Sequence, residues 1–577
     1  NEEIAADPRS YVAKNVLQRM AIISAGVTMN VITAVLFYII AFGFGVDSVP
    51  PVIGVVSPGL PAWQAGVRRG DVVEKLNGRS VASFQDLALH VAVSDGDIAL
   101  EGKRKDGTPF KTVVTPDFSG TRPQIGIRPS PGLTVVEAPK TVKPTDTPVQ
   151  PESAASRANP AFEWGDQLVK VGETEVTSFA QFQDVLATRN GAATTVTVKR
   201  KGAPLEIAVD SNYFRTLGLR FDAAPITAIQ TGSPAAAAGL EIGDKFAKIN
   251  GKNIGAEIDP LRLPDEFAQL AGQSVDVVVS RQNPKGGRMD VQLKVIPDAR
   301  PGWLDPPEGE GEPISIPAIG VAFHTIPVIL HVEPDGPAAQ AGIPVQAKIQ
   351  SVEFVKPDEA VTDKAQPKIV ALHDEKNSEK ANNWGYIFAA LQRMPGYHLK
   401  LTIRENDQTP PRVVTVVPAE DKTWPSPQLG LMMQVTLQQE KAANVSEAIS
   451  MGANRAWSTV LNIYLTLKSL VTGRLSHKEL HGPLGIAQAA YESARMGFVP
   501  FLLFLGFLSL NLAVLNFLPI PVLDGGHMVF LLYEGLTGKR PSEKIMVGSL
   551  YVGLAFLLGL MALVLYLDIG RLFTTPK

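Results

Sequence analysis

Cysteine is absent from the 577 residues of this chain. That absence excludes disulfide scaffolds, cysteine-ligated zinc, iron–sulfur clusters and thiol nucleophiles together. An excess of one charge is absent as well, since 54 Lys and Arg residues face 57 Asp and Glu residues and the net charge is −3. A chain without a positive excess has no electrostatic means of gripping phosphate backbones, so we expect no nucleic-acid partner.

Charged residues are scarce too, at 19% of the chain, against about 25% in an ordinary soluble protein. Three uncharged apolar runs occur instead, at residues 21–46, 498–518 and 545–567. A helix that crosses a bilayer needs about 20 apolar residues, and residues 47–440 contain no comparable run. We therefore predict a multi-pass α-helical membrane protein whose transmembrane helices contact the lipid bilayer at these three runs.

Basic residues flank the runs on one side. Loops rich in Lys and Arg stay in the cytoplasm, which predicts that residues 1–20 are a cytoplasmic flank and that the large middle region is extracytoplasmic. The predicted location is the cell membrane (the inner or cytoplasmic membrane). The residues that decide this orientation are Arg9, Lys14, Arg19, Lys539, Arg540 and Lys544.

A fourth stretch, residues 445–471, is amphipathic rather than uniformly apolar. Glu447, Arg455 and Lys468 interrupt apolar residues that recur at helical spacing. This pattern favours a helix lying at the membrane surface over a fourth span. We accordingly predict a membrane-associated amphipathic region over residues 428–495.

The middle region repeats itself. A Gly-Asp pair followed 13 residues later by Ser-Phe occurs within residues 70–84 and again within residues 165–179. A third copy contains Gly243-Asp244, and a fourth, marked by Gly336-Pro337, lacks the Gly-Asp pair. A second marker, a glycine between two apolar residues, recurs at Gly126, Gly218, Gly320 and Gly430. The sequence distance between one marker glycine and the next is the size of one small domain. We therefore predict four copies of one small α+β module.

The repeated pattern resembles PDZ domains of the circularly permuted bacterial type. Such domains accept an extended peptide as an added strand and often capture its C-terminal carboxylate. The resemblance implies an extracytoplasmic array of four α+β PDZ-like domains, at residues 47–118, 123–213, 215–299 and 318–420. The second domain, which carries a proline-rich insertion, and the fourth are degenerate.

Extracytoplasmic peptide C-termini are therefore expected as partners, more of the first and third copies than of the others. The alternative is that copies only space or occlude and bind nothing. Residues 300–317 are proline-rich and predict an extended linker that holds copies three and four apart. The predicted peptide-binding residues are Gly66, Gly70, Asp71, Gly239, Gly243 and Asp244.

The string NLAVLNFLPIPVLDGGH, residues 511–527, is the most informative in the chain. It places a carboxylate, Asp524, after an apolar span, and an ionisable group at membrane depth indicates function by default. Pro519 and Pro521 break the helix, and such a break is tolerated in a membrane where it lines a cavity. An isolated aspartate at this position would instead suggest a helix cap.

The pattern Asn-x-x-Pro-x-Pro-x-Leu-Asp-Gly-Gly resembles the third-span motif of the site-2 protease family of intramembrane zinc metalloproteases. Residues 18–30 and 470–486 are similar to two further segments of that family. PDZ-like domains between the spans are typical of its regulator-of-sigma-E protease type. The resemblance implies a zinc cofactor, a membrane-embedded protein substrate, and regulated intramembrane proteolysis by zinc-activated water.

Individual roles follow from matching this motif residue by residue. The resemblance implies that Asp524 is a zinc ligand. His527, three residues later, could reach the metal or order Asp524, and the second role is favoured because the family ligand is the aspartate. Gly525 and Gly526 are the motif glycines, which allow close backbone approach. The residues implied to position the substrate strand are Asn511, Asn516, Pro519 and Pro521.

One part of the family pattern is missing, because no HExxH occurs in this sequence. His477 and His481 are four residues apart, but Glu479 stands at the third position of that string rather than the second. We expect an N-terminal truncation, with the HExxH helix and its catalytic Glu upstream and a zinc metalloendopeptidase as the intact product. The alternative is a non-catalytic membrane-anchored scaffold that binds peptide C-termini. A transporter is disfavoured, since three spans offer no inverted repeat.

Overall fold

The computed structural model describes residues 11–119, 123–139, 146–303, 305–356, 369–372, 384–406, 408–473 and 482–574. These residues form a helical part at the two ends of the chain and a strand-rich outer part between them. The outer part begins with the strand Val46–Ser48 and ends with the strand Gln438–Glu440, which pair with each other. Both ends of the outer part therefore lie together beside the helices.

Three helices among the described residues are long and apolar enough to cross a membrane. They are the first span, Val16–Phe44, the second span, Phe498–Asn516, and the third span, Glu543–Thr574. Each contains most or all of one predicted apolar run. The first span starts with a reciprocal cap, in which Asn15 Oδ1 accepts from the Gln18 N–H at 2.8 Å and Gln18 Oε1 accepts from the Asn15 N–H at 3.3 Å.

The first and second spans pack closely because small residues meet large ones. A Cβ on Gly506 would lie 2.5 Å from the ring of Tyr38, so the tyrosine occupies the space that a side chain would need. Ser509 Oγ donates to the carbonyl oxygen of Asn30 at 2.8 Å. Small contact residues and interhelical hydrogen bonds are what hold helices together in lipid.

A 27-residue helix, Val445–Val471, connects the spans to the outer part, and we call it the bridging helix. Gly452 faces the first span so tightly that a Cβ would lie 2.7 Å from an isoleucine side chain there. Arg455 pairs with Asp86 of the outer part at 3.2 Å, and Lys468 pairs with a second aspartate of the same unit at 2.8 Å. The bridging helix is not among the helices apolar enough to span a membrane.

The outer part consists of four α+β units, each with a helix that packs on antiparallel strands. The unit helices are Phe84–Ala92, Phe179–Thr188, Leu263–Gln269 and Trp384–Arg393. Unit 1 has the strands Ile53–Val56, Val72–Leu76, Arg79–Ser80, Ile98–Lys103, Pro109–Val114 and Ile127–Pro129. Unit 2 has the strands Pro131–Val135, Gln167–Val171, Thr174–Glu175, Thr194–Arg200, Ala203–Val209 and Met433–Val435. Units 3 and 4 share the strands Leu219–Ile229 and Val321–Val332 and add Lys245–Ile249, Lys252–Asn253, Val275–Gln282, Arg288–Val295, Ile314–Ile316, Lys348–Val355, Ile369–Ala371, His398–Arg404 and Arg412–Val416.

The four units are equivalent in strand register. In each, the third residue after the glycine of an apolar-Gly-apolar marker pairs with an apolar residue near the start of the unit. The pairs are Pro129 with Ile53, Met433 with Val135, Phe323 with Ile226, and Phe221 with Ile329. The markers at Gly126, Gly430, Gly320 and Gly218 therefore complete units 1, 2, 3 and 4 in that order.

The units are not consecutive along the chain, although the marker spacing predicted one marker per successive domain. Gly218 precedes unit 3 but completes unit 4, and Gly430 follows unit 4 but completes unit 2. The unit predicted over residues 123–213 is thus finished by residues 429–435. Units 3 and 4 are inserted, in sequence, inside unit 2.

Units 3 and 4 share one hydrophobic core, built around their two long paired strands. The predicted spacer between them, residues 300–317, belongs to that core, since Trp303 is 5% exposed and Ile316 is 0% exposed. Burying an aromatic ring and an isoleucine side chain stabilises such a segment by about 1.5–3 kcal/mol each. The proline-rich segment is therefore held against unit 3 instead of spacing the two units apart.

Candidate metal site and peptide groove

The metal-site motif lies where the second span breaks. The span ends at Asn516, and the next helix, the motif helix Asp524–Thr537, begins after a non-helical loop over residues 517–523. Pro519 and Pro521 lie in this loop, and neither can continue an α-helix because neither has an N–H. Asp524 is consequently the first residue of the motif helix, where the open N–H groups favour a negative charge.

Gly525 and Gly526 allow the motif helix to lie directly on the loop. A Cβ on Gly525 would lie 2.3 Å from the carbonyl oxygen of Leu518, and one on Gly526 would lie 2.3 Å from that of Ile520. Ordinary Cβ contacts are 3.4–4 Å, so any side chain would push the loop away. The two glycines thereby set the position of Asp524 against the loop.

Asp524 and His527 are one turn apart, and side chains at i and i+3 share a helix face. Both residues are partly buried. Within the stretches that the structure describes, neither side chain forms a hydrogen bond or an ion pair. A partly buried carboxylate without a partner is costly, and a bound cation is the kind of partner that removes this cost.

The donor chemistry fits zinc, because carboxylate oxygen and imidazole nitrogen are both common zinc ligands. A catalytic zinc site has about three protein ligands. No group of three or more His, Cys, Asp or Glu side chains able to hold a metal occurs in the described ranges. Within the described residues, Asp524 and His527 could supply at most part of such a ligand set. His477 and His481 lie outside the described residues.

The two asparagines of the motif do not face the same way. They are five residues apart on the second span, which at 100° per residue places them about 140° apart around the helix axis. Both are partly buried. Asn516 is the last residue of the span and adjoins the proline loop, whereas Asn511 lies more than one turn earlier.

The third span supports the loop from another side. A Cβ on Gly553 would lie 2.9 Å from the side chain of Val522 and 3.4 Å from Pro521, so the third span packs directly on the residues that precede Asp524. Sequence reasoning missed this contact, since Gly553 is one of several glycines in an apolar run.

A second unpredicted residue, Asp568, lies near the C-terminal end of the third span and is 4% exposed. Its carboxylate holds the start of the connecting helix, Pro483–Met496, which leads into the second span. A helix start leaves backbone N–H groups open and favours negative charge. The carboxylate accepts, at 3.0–3.1 Å, the backbone N–H groups of Gly482, Leu484 and Gly485.

In the outer part, the Gly-Asp pairs of units 1 and 3 hold turns. Asp71 is 1% exposed, accepts the N–H of Arg68 at 2.8 Å and pairs with Arg104 at 2.6 Å. Asp244 pairs in the same way with Arg281 at 2.7 Å. Burial raises the pKa of the Asp71 carboxyl, and the Arg68 N–H and the Arg104 guanidinium oppose this rise. The glycines predicted with these aspartates, Gly66, Gly70, Gly239 and Gly243, all have positive φ.

These residues were predicted to bind peptide, but the structure engages both carboxylates inside their own units. A groove lined by both apolar and polar side chains occurs elsewhere, in unit 2, with a volume of about 170 Å³. It runs between the unit helix Phe179–Thr188 and residues 427–433, next to the edge strand Met433–Val435. Its apolar walls come from Phe179, Phe182, Leu186, Trp303, Leu429, Leu431 and Met433.

Three candidate spans, with a proline-broken loop and a partly buried aspartate after the second, define a multi-span membrane protein. The family model of Peptidase family M50 matches residues 3–560. The chain belongs to this family, the site-2 proteases, and the resemblance that its motifs indicated is confirmed.

Relatives with assigned names agree with this membership. The chain is 26% identical over 574 residues to Protease RseP of Yersinia pestis, a match that covers 99% of this chain and 83% of the relative. It is 32% identical over 197 residues to Regulator of sigma-W protease RasP of Bacillus subtilis, covering 34% of this chain and 46% of the relative. It is 33% identical over 199 residues to Zinc metalloprotease RasP of Bacillus licheniformis, again covering 34% and 46%. Zinc is thus the metal of this family, as expected.

Proposed function

We propose that this protein is an intramembrane zinc protease that cleaves membrane-embedded protein substrates. The observation that carries the proposal is Asp524, a partly buried carboxylate without a protein partner in the described residues, at a proline-broken loop between two helices. Membership of a peptidase family supports proteolysis as the reaction. The location that fits is a multi-pass position in the cell membrane with the outer part extracytoplasmic.

The roles of the residues follow from their positions. Asp524 would hold the metal, and His527 on the same helix face would orient that carboxylate or complete its surroundings. Bound zinc supplies activated water and polarises the scissile carbonyl. The second and third zinc ligands that the family resemblance implies, an HExxH pair, have no counterpart in this sequence.

The broken loop is suited to an extended substrate. A transmembrane helix must unwind before a protease can reach its backbone, and unwound backbone in a membrane needs hydrogen-bond partners. Loop residues 517–523 are not helical. The N–H groups of Phe517, Leu518, Ile520 and Leu523 already donate to carbonyl oxygens of this segment, so the N–H group left in the loop for such a strand is that of Val522. The amide of Asn516, next to this loop, can bond the same strand, and Pro519 and Pro521 keep the loop from becoming helical.

The test is Asp524→Ala in the product of the whole reading frame that encodes this chain, purified with zinc. We expect loss of bound zinc, measured by mass spectrometry of the metal, together with loss of cleavage of a transmembrane model substrate. The matched control is Glu543→Ala, which removes an exposed carboxylate at the start of the third span. Retained zinc and cleavage in Asp524→Ala would remove Asp524 from the metal site.

The second candidate function is a membrane-anchored scaffold that binds peptide C-termini through PDZ-like units. The groove of unit 2 favours a peptide-binding role for the outer part. This role is compatible with proteolysis, in which the outer part filters substrates by size or recognises newly exposed C-termini. A zinc-free, inactive product that still binds peptides would leave the scaffold as the function.

A further inference from the structure

Unit 3 carries a strand of its own chain at the edge where an added peptide strand would pair. The strand Ile314–Ile316 runs antiparallel to the residues after Gly320, with Ile314 opposite Phe323 and Ile316 opposite Val321. It also contacts the unit helix Leu263–Gln269. The space between helix and strand is therefore filled from within, and Ile314 and Ile316 are 1% and 0% exposed.

The end of this internal strand is held as a peptide terminus would be. The carbonyl oxygen of Ile316 accepts the N–H groups of Ile319 at 3.2 Å and Gly320 at 2.9 Å. Backbone N–H groups that converge in this way form an anion-binding loop. Only residues 317–319 separate Ile316 from Gly320. The effective concentration of the internal strand at this loop is therefore very high, and the strand excludes a free peptide from it.

Unit 2 has the same loop but no such strand. By register, Leu429 and Gly430 correspond to Ile319 and Gly320 of unit 3. The chain before this loop pairs elsewhere, with Pro425 opposite Tyr213, and so leaves the groove uncovered. In the part of the chain that the structure describes, the N–H groups of Leu429 and Gly430 donate to no protein acceptor.

Unit 4 differs from unit 2 because aromatic side chains cover its helix. The ring of Phe388, on that helix, stacks on Trp424 with centroids 5.1 Å apart and contacts Phe214 at 5.6 Å. Phe214 and Trp424 are 1% and 4% exposed. The groove of unit 2, in contrast, keeps open space of about 170 Å³ between the side chains that line it.

We propose that unit 2 binds the free carboxyl end of an extended peptide, whereas unit 3 is closed by its own strand. This assignment rests on the proposed peptide-recognition role of the outer part. The N–H groups of Leu429 and Gly430 take the terminal carboxylate. Apolar side chains at the last and third-last positions of the peptide enter the groove beside Leu431 and Met433. They take the places that Ile316 and Ile314 occupy in unit 3.

The internal strand supplies the probe. A heptapeptide with the sequence of residues 310–316, Glu-Gly-Glu-Pro-Ile-Ser-Ile, is labelled at its N-terminus and titrated against the full chain in detergent. The peptide is expected to bind, and amidation of its carboxyl end should weaken binding at least tenfold. Leu431→Glu should abolish binding, while Val435→Glu, on the edge strand but outside the groove and 40% exposed, should not change it.

A photo-crosslinking version of the peptide keeps the test decisive if Leu431→Glu does not fold. Crosslinks to residues 179–188 or 427–433 support the assignment, and crosslinks to residues 263–269 would overturn it by showing that unit 3 is open. No binding, or equal binding of the amidated peptide, also overturns it. All titrations use the Asp524→Ala variant. Peptide binding is therefore measured independently of proteolysis, and either proposal can fail while the other succeeds.

Discussion

Replacing Gly526 by alanine tests whether the loop and the motif helix are held at the distance that positions Asp524. Glycine to alanine within a helix is ordinarily stabilising by about 1 kcal/mol. Here the added Cβ would lie 2.3 Å from the Ile520 carbonyl oxygen and 2.5 Å from Pro521 Cα. Both are backbone atoms, so the loop must move until the shortest contact reaches at least 3.4 Å. Such overpacking costs about 1–3 kcal/mol, which cancels or exceeds the helical gain.

The control is Gly535→Ala in the same helix, where the nearest atom to the new Cβ would be Val16 Cγ1 at 3.6 Å, an ordinary contact. We expect Gly526→Ala to lower the free energy of unfolding by up to about 2 kcal/mol and Gly535→Ala to raise it by up to about 1 kcal/mol. Equilibrium unfolding in detergent gives both values, and amide exchange should quicken over residues 517–530 only in Gly526→Ala. Equal effects of the two variants would refute the close approach as the reason for the motif glycine.

Three other predictions concern buried carboxylates. Asp568→Asn should raise the rate of amide exchange at the start of the connecting helix. The carboxylate now accepts three N–H groups there, and a neutral amide oxygen accepts fewer and weaker hydrogen bonds. An unchanged exchange rate would contradict this prediction. Burial raises the pKa of Asp265 from 3.8 to about 6, so the folded state binds this proton more tightly and stability should fall as pH rises from about 4 to 6, by at most about 1.4 kcal/mol per pH unit. Asp265→Asn should reduce that slope, measured by unfolding at several pH values, without removing it, since burial likewise raises the pKa of Asp259 to about 6. Arg281→Met should destabilise unit 3 by about 3–5 kcal/mol because it leaves Asp244 buried and unpaired, and Arg281→Met combined with Asp244→Asn should recover part of that loss in a thermal melt.

Local patterns were enough to predict the helical part and the motif. A span of about 20 apolar residues must be helical in lipid, and two prolines after such a span predict the break that the structure has between Asn516 and Asp524. The supporting contacts could not be predicted from the sequence. Gly553 and Asp568 act through segments that are distant in sequence, and a single glycine or aspartate at the end of an apolar run has no local pattern that distinguishes it.

The outer part shows the same division between local and long-range information. The markers predicted four related modules. Each marker glycine adopts positive φ where its loop passes a neighbouring turn, a conformation that favours glycine over other residues. The markers carried no information about which module each of them completes, since pairing between residues as distant in sequence as Val135 and Met433 depends on the packed structure. The Gly-Asp pairs were predicted to bind peptide because the repeats resemble PDZ domains. In the structure the aspartates of units 1 and 3 form buried ion pairs inside their own units, as Asp71 does with Arg104, and peptide binding by these residues stays a prediction.

The insertion of units 3 and 4 inside unit 2 has a consequence for the order in which the protein is made. During synthesis a domain folds only when all of its strands have left the ribosome. Unit 1 is complete once Pro129 has emerged, but residues 131–209 must wait for Met433, which arrives after the whole of units 3 and 4. Unit 2 therefore closes last, immediately before the bridging helix is made. The groove that we assign to peptide binding comes into existence only when the outer part is otherwise finished, so an incomplete chain cannot capture a peptide with it.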